Sequence, residues 1–307
     1  PELLAQALQE LLKEYQRPDL VAVTMTGELA DCYPTKAAGV EQILVAVQQA
    51  VLPAPVVVWQ TGAEFLTTDL AREFPLLVAA ANWHAQATWL GRMIPDQCGI
   101  LIDIGSTTTD IIPLENGFPV PEGLTDVERL LSGELVYTGG RRTPLAMIAQ
   151  KVPFRGQHCP LAAECFATSL DLYLLLSERH ENPDDIETAN GKPATQKDAH
   201  NRIARSLCCD TTELLRDEAV EIAEFLARQQ QEQITQAVDQ VLERMVEPPS
   251  VVLISGSAVF LADKVVRAHP KLSQLTVTNV AEIFDGAISE SACAFAVARL
   301  AAERIRI

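Results

Sequence analysis

Asp103 and Asp110 bracket the run Ile104-Gly105-Ser106-Thr107-Thr108-Thr109, so that two carboxylates flank one Gly/Ser/Thr turn. Apolar stretches over residues 99–104 and 110–114 predict two strands, and pairing them as an antiparallel hairpin lets the side chains at both strand ends converge. Two carboxylates in one cavity can hold Mg²⁺, or Mn²⁺, directly or through water. Gly105 allows close approach of the backbone, while successive amides and the hydroxyls of Ser106, Thr107, Thr108 and Thr109 can donate to phosphate oxygens. A metal-bound phosphate or pyrophosphate requires that mixture: donors for the anion, and a hard cation that lets carboxylates and phosphate coexist. The same residues also fit a polar hairpin with local Asp/Thr capping.

Further clusters gain meaning beside such a turn. Thr26, Glu28 and Asp31 follow an apolar stretch over residues 20–24 and are expected at the C-terminal edge of a strand, a common ligand position in α/β folds. Glu28 or Asp31 could orient a nucleophile or bind a cation there, or belong to an ordinary capped turn. Ser255-Gly256-Ser257 has the same form of strand end, small residues and helix start, and its amides could meet a phosphate or nucleoside. Asn82, Trp83 and His84 make a polar–aromatic cluster at a helix start. His84 is a candidate acid–base group and Trp83 a stacking surface, although a lone His near a buried helix is more often structural. Arg141 and Arg142 could offer bidentate contacts to pyrophosphate or carboxylate, with at least one of them expected on a plain surface or interface. His158-Cys159 with Cys165, and Cys208-Cys209, lack the paired short offsets of a zinc site, so Cys165, Cys208, Cys209 and Cys293 read as small apolar core residues.

The elements that must position these residues alternate between helix and strand. Leu3, Leu4, Ala7, Leu8, Leu11 and Leu12 recur at helical spacing, Pro18 ends that helix, and a strand follows over residues 20–24. A helix over 40–51, a strand over 55–59, an apolar strand over 76–80 and a helix from Asn82 toward Met93 come next. After the hairpin the pattern predicts helices over 124–131, 145–149, 160–176 and 198–207, with a loop over 181–197. Residues 212–245 are strongly helical, and their length suggests two helices or a bend. Strands over 251–255 and 275–280 follow, the first leading through Gly256-Ser257 into a helix to about Arg267, and Gly286 opens a last Ala-rich helix to 302. This alternation favours an α/β layer architecture, with residues 1–98 as an N-terminal α/β domain and 99–307 as a second one carrying helical inserts around 125–246.

Bulk composition excludes some partners. The 307 residues are 48% hydrophobic, enough for a sizeable core, and the net charge of −17 argues against nucleic acid or an anionic membrane as main partner. An acidic chain still binds a polyanion locally through amides and Mg²⁺. Seven irregularly spaced cysteines point to a reducing compartment, and with neither a basic–apolar leader nor a long apolar span the expected location is cytoplasmic. Association with further copies of the chain stays open. The sequence opens with Pro1-Glu2 and no Met, so an N-terminal segment is expected to precede it.

Several motifs together carry a resemblance. Residues 23–31 (VTMTGELAD), 80–85 (AANWHA), 102–112 and 134–139 (ELVYTG) closely resemble the tetrahydromethanopterin-linked C1-transfer pathway protein family. That family lies near the hydantoinase/oxoprolinase group and includes the archaeal methanofuran biosynthesis enzyme. Arg142-Thr143-Pro144, Glu164 with Phe166-Ala167-Thr168, and Asp171-Leu172-Tyr173 extend the likeness over almost the whole chain.

The resemblance implies an α/β fold of the actin/sugar-kinase/Hsp70-like kind, two domains around a ligand cleft. Members of that fold usually begin with a strand and a first phosphate loop of the form Asp-Ile-Gly-Gly-Ala-Asn, which this sequence does not contain. It also implies a transferase of one-carbon cofactor biosynthesis, joining an aminomethyl-furanmethyl diphosphate to a phenolic acceptor, tyramine- or tyrosine-derived, and releasing pyrophosphate. The diphosphate would then sit over residues 105–109, with Mg²⁺ held through Asp103 and Asp110, and Glu28, Asp31 or His84 would activate the phenol. Two alternatives stand beside it. One is an ATP-dependent small-molecule kinase or hydantoinase/oxoprolinase-like amidohydrolase. The other is a non-catalytic nucleotide-binding partner of C1 enzymes.

Overall fold

The structure, a computed structural model, describes residues 3–284, 288 and 291–305. The first part of the chain builds a small sheet. Helix α1 (Leu4–Leu12) precedes β1 (Val21–Val23), which pairs in parallel with β2 (Val56–Trp59) across α2 (Lys36–Val51), while β3 (Phe65–Thr67) returns antiparallel to β2. Thr35 starts α2 by accepting from the Ala38 amide at 3.1 Å, earlier than the apolar run alone suggests. Val40, Leu44 and Val47 of α2 pack on Val23 and Val58, and α1 leans on the same cluster through Leu4, Leu8 and Leu12.

The strand expected over 76–80 is instead helical. Short helices α3 (Thr68–Glu73) and α4 (Pro75–Val78) run in succession, with Pro75 opening α4, where its fixed φ and missing N–H cost nothing. Ala80 has a φ of 49°, which turns the chain into α5 (Asn82–Gly91).

A second sheet carries the predicted hairpin. β4 (Gly99–Ile104) and β5 (Thr109–Glu115) pair antiparallel, β6 (Phe118–Pro119) and β7 (Leu135–Val136) both join β5, and β10 (Val251–Ser255) lies parallel to β4 with β11 (Thr276–Asn279) beyond it. Between β6 and β7 runs α6 (Asp126–Ser132). Both faces of β4 and β5 are covered, which is why they read as nearly continuous apolar runs. Ile100, Ile102, Ile104 and Ile111 face α10 (Arg216–Arg244) and α11 (Val259–Ala268), while Leu101, Ile112 and Leu114 face Trp83, Ala87 and Leu90 of α5. Each such fully buried side chain contributes about 1.5–3 kcal/mol.

Residues 145–206 are less helical than expected. Helix α7 (Leu145–Ile148) leads into the hairpin β8 (Lys151–Phe154) and β9 (Gln157–Pro160), and the helix expected over 160–176 shrinks to α8 (Ser169–Leu175). The segment 161–168 spends its amides elsewhere: Leu161 N–H donates to Gln150 O at 3.0 Å and Ala162 N–H to Ser206 O at 2.8 Å. α8 starts only where Asp171 Oδ2 takes the Thr168 amide at 2.9 Å. Residues 181–195 are irregular, as expected, before α9 (Gln196–Ser206). The helix over 216–244 is a single one: it holds neither Gly nor Pro, and its buried stripe (Ile222, Leu226, Ile234, Val238, Val241) keeps helical spacing throughout.

The short α12 (Val280–Ile283) precedes the last described helix, α13 (Ala292–Arg304), which returns to pack against β1 and α5, with Val297 and Leu300 beside Trp59, Ala81 and Ala85. The expected start of this helix at Gly286 lies outside the described residues.

Two glycines let the loops of the second sheet close on one another. A Cβ on Gly139 would lie 2.7 Å from the backbone of Gly105, Ser106 and Thr107. Gly256 has a φ of +97°, and a Cβ there would meet Ile104 O at 2.3 Å. Alanine at either position is expected to lower unfolding free energy by about 2 kcal/mol or more, measured by urea denaturation. A change within about 0.5 kcal/mol at both would contradict this close packing.

Candidate active site

Strand register gathers the polar residues. Asp103 lies directly opposite Asp110 across β4–β5, and Ser255 lies opposite Asp103 across β10–β4. Opposed residues share a face, so Ser255, Asp103 and Asp110 form a polar row at the end of an apolar sheet, on the side covered by α5. Gln86, 2% exposed and one helical turn beyond Asn82, reaches that row from α5.

The two carboxylates have different partners. Asp103 Oδ1 accepts from Gln86 Nε2 at 2.9 Å and from the Ser255 hydroxyl, and Gln86 Nε2 also donates to Ser255 Oγ at 2.8 Å. Asp103 Oδ2 has no donor among the described residues. Burial and then the neighbouring Asp110 charge push the Asp103 carboxyl up to about 6, against the opposing hydrogen bonds from Ser255 and Gln86. Asp110 pairs with Arg129 Nη2 at 2.8 Å. Arg129 is 1% exposed, donates to Glu134 O at 2.9 Å and stacks its guanidinium 3.8 Å from the Trp83 ring centroid. The sequence places it there through a capping box: Thr125 Oγ1 accepts from Glu128 N, Glu128 Oε2 accepts from Thr125 N, and Arg129 follows one turn into α6.

The expected metal pair is therefore uneven. Asp110 is committed to Arg129, and among the described residues no three His, Cys, Asp or Glu side chains group to hold a metal ion. Asp103 retains an oxygen for a cation that a bound diphosphate and water would otherwise coordinate, a manner of binding usual for Mg²⁺. The residues fit Mg²⁺ on those terms.

The turn itself is half-buried and keeps several amides unpartnered. Gly105 N–H donates to Thr108 O at 2.9 Å, whereas the amides of Ser106, Thr107 and Thr108 have no acceptor among the described residues. Carbonyls hold the turn from behind: Gly105 O accepts from Gly140 N, and Ser106 O accepts from Arg141 N at 3.0 Å and Arg142 N at 2.9 Å. Thr109 faces inward, its hydroxyl donating to Thr138 O at 2.8 Å. Thr138 and Gly139 are fixed in turn by Gln230, the one polar residue in the buried stripe of α10, which donates to Thr138 Oγ1 at 2.7 Å and to Gly139 O at 2.9 Å while accepting from Tyr173 OH. Gly256 and Ser257 sit on the far side of the turn, where Ala258 N–H donates to Ile104 O. Arg179 Nη2 donates to Ser257 O at 2.8 Å and lies beside Gly140, bringing a cation to the junction of the three loops.

The other candidates scatter. Arg141 forms a double hydrogen bond with Asp185 at 2.8 Å and reaches Glu187 O, so its side chain serves the 181–195 loop. Arg142 is exposed, 3.9 Å from Glu187. Asn82 Nδ2 lies 3.6 Å from Cys293 Sγ, and that thiol donates to Gln86 Oε1 at 3.2 Å. Trp83 is buried beneath Arg129 rather than open for stacking. His84 is buried between Trp59 and Trp83, and burial followed by the charges of Arg129 and Arg304 lowers it to about 4, which keeps it neutral near pH 7. Thr26 and Asp31 are exposed, while Glu28 is 2% exposed with Oε2 unpartnered. Cys165 and Cys208 are exposed and not core residues, since both lie in irregular segments, between β9 and α8 and just after α9.

A turn with three unpartnered amides and one available carboxylate beside it, in an α/β protein, is the arrangement that a phosphate-type ligand requires. The chain belongs to the hydantoinase/oxoprolinase family, whose profile matches residues 19–304. It is 36% identical over 294 residues to the (4-{4-[2-(γ-L-glutamylamino)ethyl]phenoxymethyl}furan-2-yl)methanamine synthase of Methanocaldococcus jannaschii, covering 95% of this chain and 86% of that protein. The synthase of the same description from Methanococcus vannielii is 38% identical over 137 residues, 45% of this chain and 61% of its own length. Among solved structures, nucleotide-free acetone carboxylase superposes with a TM-score of 0.41 at 14% identity, over 72% of this chain and 33% of that one. No helix among the described residues is long and apolar enough to cross a membrane.

Two stability measurements follow. The raised Asp103 carboxyl binds a proton in the folded state between its ordinary value of 3.8 and about 6, so it lowers stability as pH rises through that window. Asp103→Asn is expected to raise unfolding free energy by about 1–2 kcal/mol at pH 7.5, with the gain disappearing near pH 4. A gain independent of pH would contradict the burial of a charge there. Arg129→Ala leaves Asp110 buried without a cation and is expected to destabilise by about 3–5 kcal/mol. A loss below about 1 kcal/mol would show that the pair is solvated.

Proposed function

We propose that this chain is a condensing transferase of methanofuran-type cofactor biosynthesis. Its substrates are an aminomethyl-furanmethyl diphosphate and a phenolic acceptor, tyramine- or tyrosine-derived, and its products are the aryl ether, pyrophosphate and a proton. The observation that carries the reading is the turn of unpartnered amides beside Asp103, in a chain 36% identical over 95% of its length to a protein named as synthase of such an ether.

The chemistry needs an anion site more than a nucleophile. The bond between the furan methylene carbon and the bridging oxygen breaks, and its electron pair leaves with the pyrophosphate. The phenol oxygen forms the new bond to that carbon and gives up its proton. The furan ring shares the positive charge that develops on the methylene, which eases the cleavage. The amides of Ser106, Thr107 and Thr108, with the Arg179 guanidinium at the loop junction, stabilise charge growing on the leaving group. Mg²⁺, or Mn²⁺, held by the diphosphate and Asp103 would neutralise the rest of that charge. Gln86 and Ser255 hold the Asp103 carboxylate by one oxygen so that the other faces the ligand. A kinase would move phosphorus to the acceptor, whereas here the carbon fragment moves and ATP has no part.

The protein supplied with the furanmethyl diphosphate, a panel of phenolic amines and amino acids, and Mg²⁺ without ATP is expected to release ether and pyrophosphate in equal amounts. Asp103→Asn is expected to lower the rate about 100-fold or more. Pyrophosphate without ether across the whole panel, or turnover that requires ATP, would overturn the reading.

A further inference from the structure

Glu28 is, like Asp103, a buried acid without an ion pair among the described residues. It sits where the chain leaves β1 and is 2% exposed. Its Oε2 has no hydrogen-bond partner, and Thr24 on the same strand exit likewise has a buried, unpartnered Oγ1. The position is fixed by α2: a Cβ on Gly39 would lie 2.0 Å from Glu28 O, so only glycine lets the helix seat against this segment. The nearby Lys36 does not neutralise it, because Lys36 Nζ is bonded to Asp126 at 2.8 Å. Burial raises the Glu28 carboxyl and the Asp126 charge raises it further, against backbone amides, including that of Ala80, and Lys36, which lower it. Asp126 opens α6, which carries Arg129 to Asp110, so this acid belongs to the same charged framework as the hairpin.

We propose that Glu28 is the receptor for the substrate's primary ammonium group, the aminomethyl substituent on the ring that carries the diphosphate. The inference rests on the reading given above and adds a specificity determinant to it. An ammonium fits where other ligands do not. It brings a full positive charge and three donors to an acid that has no ion pair among the described residues and one oxygen without a donor. A divalent cation needs about six oxygens, and Asp126, the other nearby acid, is already paired with Lys36. A neutral hydroxyl would donate one hydrogen bond and leave a buried carboxylate uncompensated. Charge at one end of the ring on Glu28 and diphosphate at the other on the turn would fix the methylene carbon between them.

The test compares furan-2-ylmethanamine with furan-2-ylmethanol as probes in NMR titrations of the whole protein. The wild type is expected to bind the amine at least about tenfold more tightly than the alcohol. Glu28→Gln, nearly the same in shape, is expected to erase that preference while leaving pyrophosphate binding unchanged, which also shows that the variant is folded. Equal binding of amine and alcohol by the wild type, or a preference that survives Glu28→Gln, overturns the proposal. Because no turnover is read, the amine preference stands or falls separately from the condensing reaction. An amine preference lost in Glu28→Gln, in a protein that forms no ether, would refute the reaction and leave the ammonium site in place.

Discussion

Two carboxylates on one face of a buried hairpin repel each other, and the structure resolves the repulsion by satisfying only one of them. Arg129, buried and stacked on Trp83, takes Asp110 into the permanent framework. Asp103 is left with hydrogen bonds to a single oxygen and a carboxyl pushed up to about 6. Much of the surrounding architecture serves this asymmetry. α5 brings both Trp83 and Gln86, α6 brings Arg129, and β10 brings Ser255 into register with Asp103. A charge retained against burial is a standing cost to folding, and such costs concentrate where a ligand later offsets them.

The turn at residues 105–108 depends on a similar division of contacts. Its carbonyls are bound by the amides of Gly140, Arg141 and Arg142, while the successive N–H groups of Ser106, Thr107 and Thr108 have no acceptor among the described residues. Those loops are close enough to do this because Gly139 and Gly256 have no side chain to hold them apart. Gln230 sits in the otherwise apolar stripe of α10 to bond Thr138 and Gly139. A long helix thereby becomes the rigid support of a short turn. An anion binding there meets dipoles that are already oriented, which is the condition for stabilising a leaving group without reorganisation.

The hairpin and its facing carboxylates were legible in the sequence because alternation and turn chemistry are local: residues 99–104 and the Gly/Ser/Thr run specify their own pairing. The parallel placement of β10 against β4 was legible only as a strand, since the register that sets Ser255 beside Asp103 is fixed by contacts over 150 residues apart. The roles of Gln86, Arg129 and Gln230 could not be read at all, because a polar residue inside an apolar helical pattern reveals its partner only in three dimensions, and Arg179 lies in a bend after α8 whose contact with Ser257 is just as non-local. The capping box before Arg129, Thr125 with Glu128, was the one local signal available. Residues 160–176 misled for a related reason: their composition suits a helix, but tertiary hydrogen bonds from Leu161 and Ala162 claim the backbone first. Arg141 looked like an anion ligand and proved to be a loop clamp, a distinction made by Asp185, 44 residues away.

In the proposed reaction a carbon fragment leaves its diphosphate and the phosphorus atoms never change partner. Furanmethyl diphosphate labelled with ¹⁸O at the oxygen bridging carbon and phosphorus tests it most directly, with mass spectrometry of both products. The label is expected in pyrophosphate, with the ether keeping the unlabelled oxygen of the phenol. Label retained on a furan alcohol, with phosphate carried to the acceptor or to water, would contradict it.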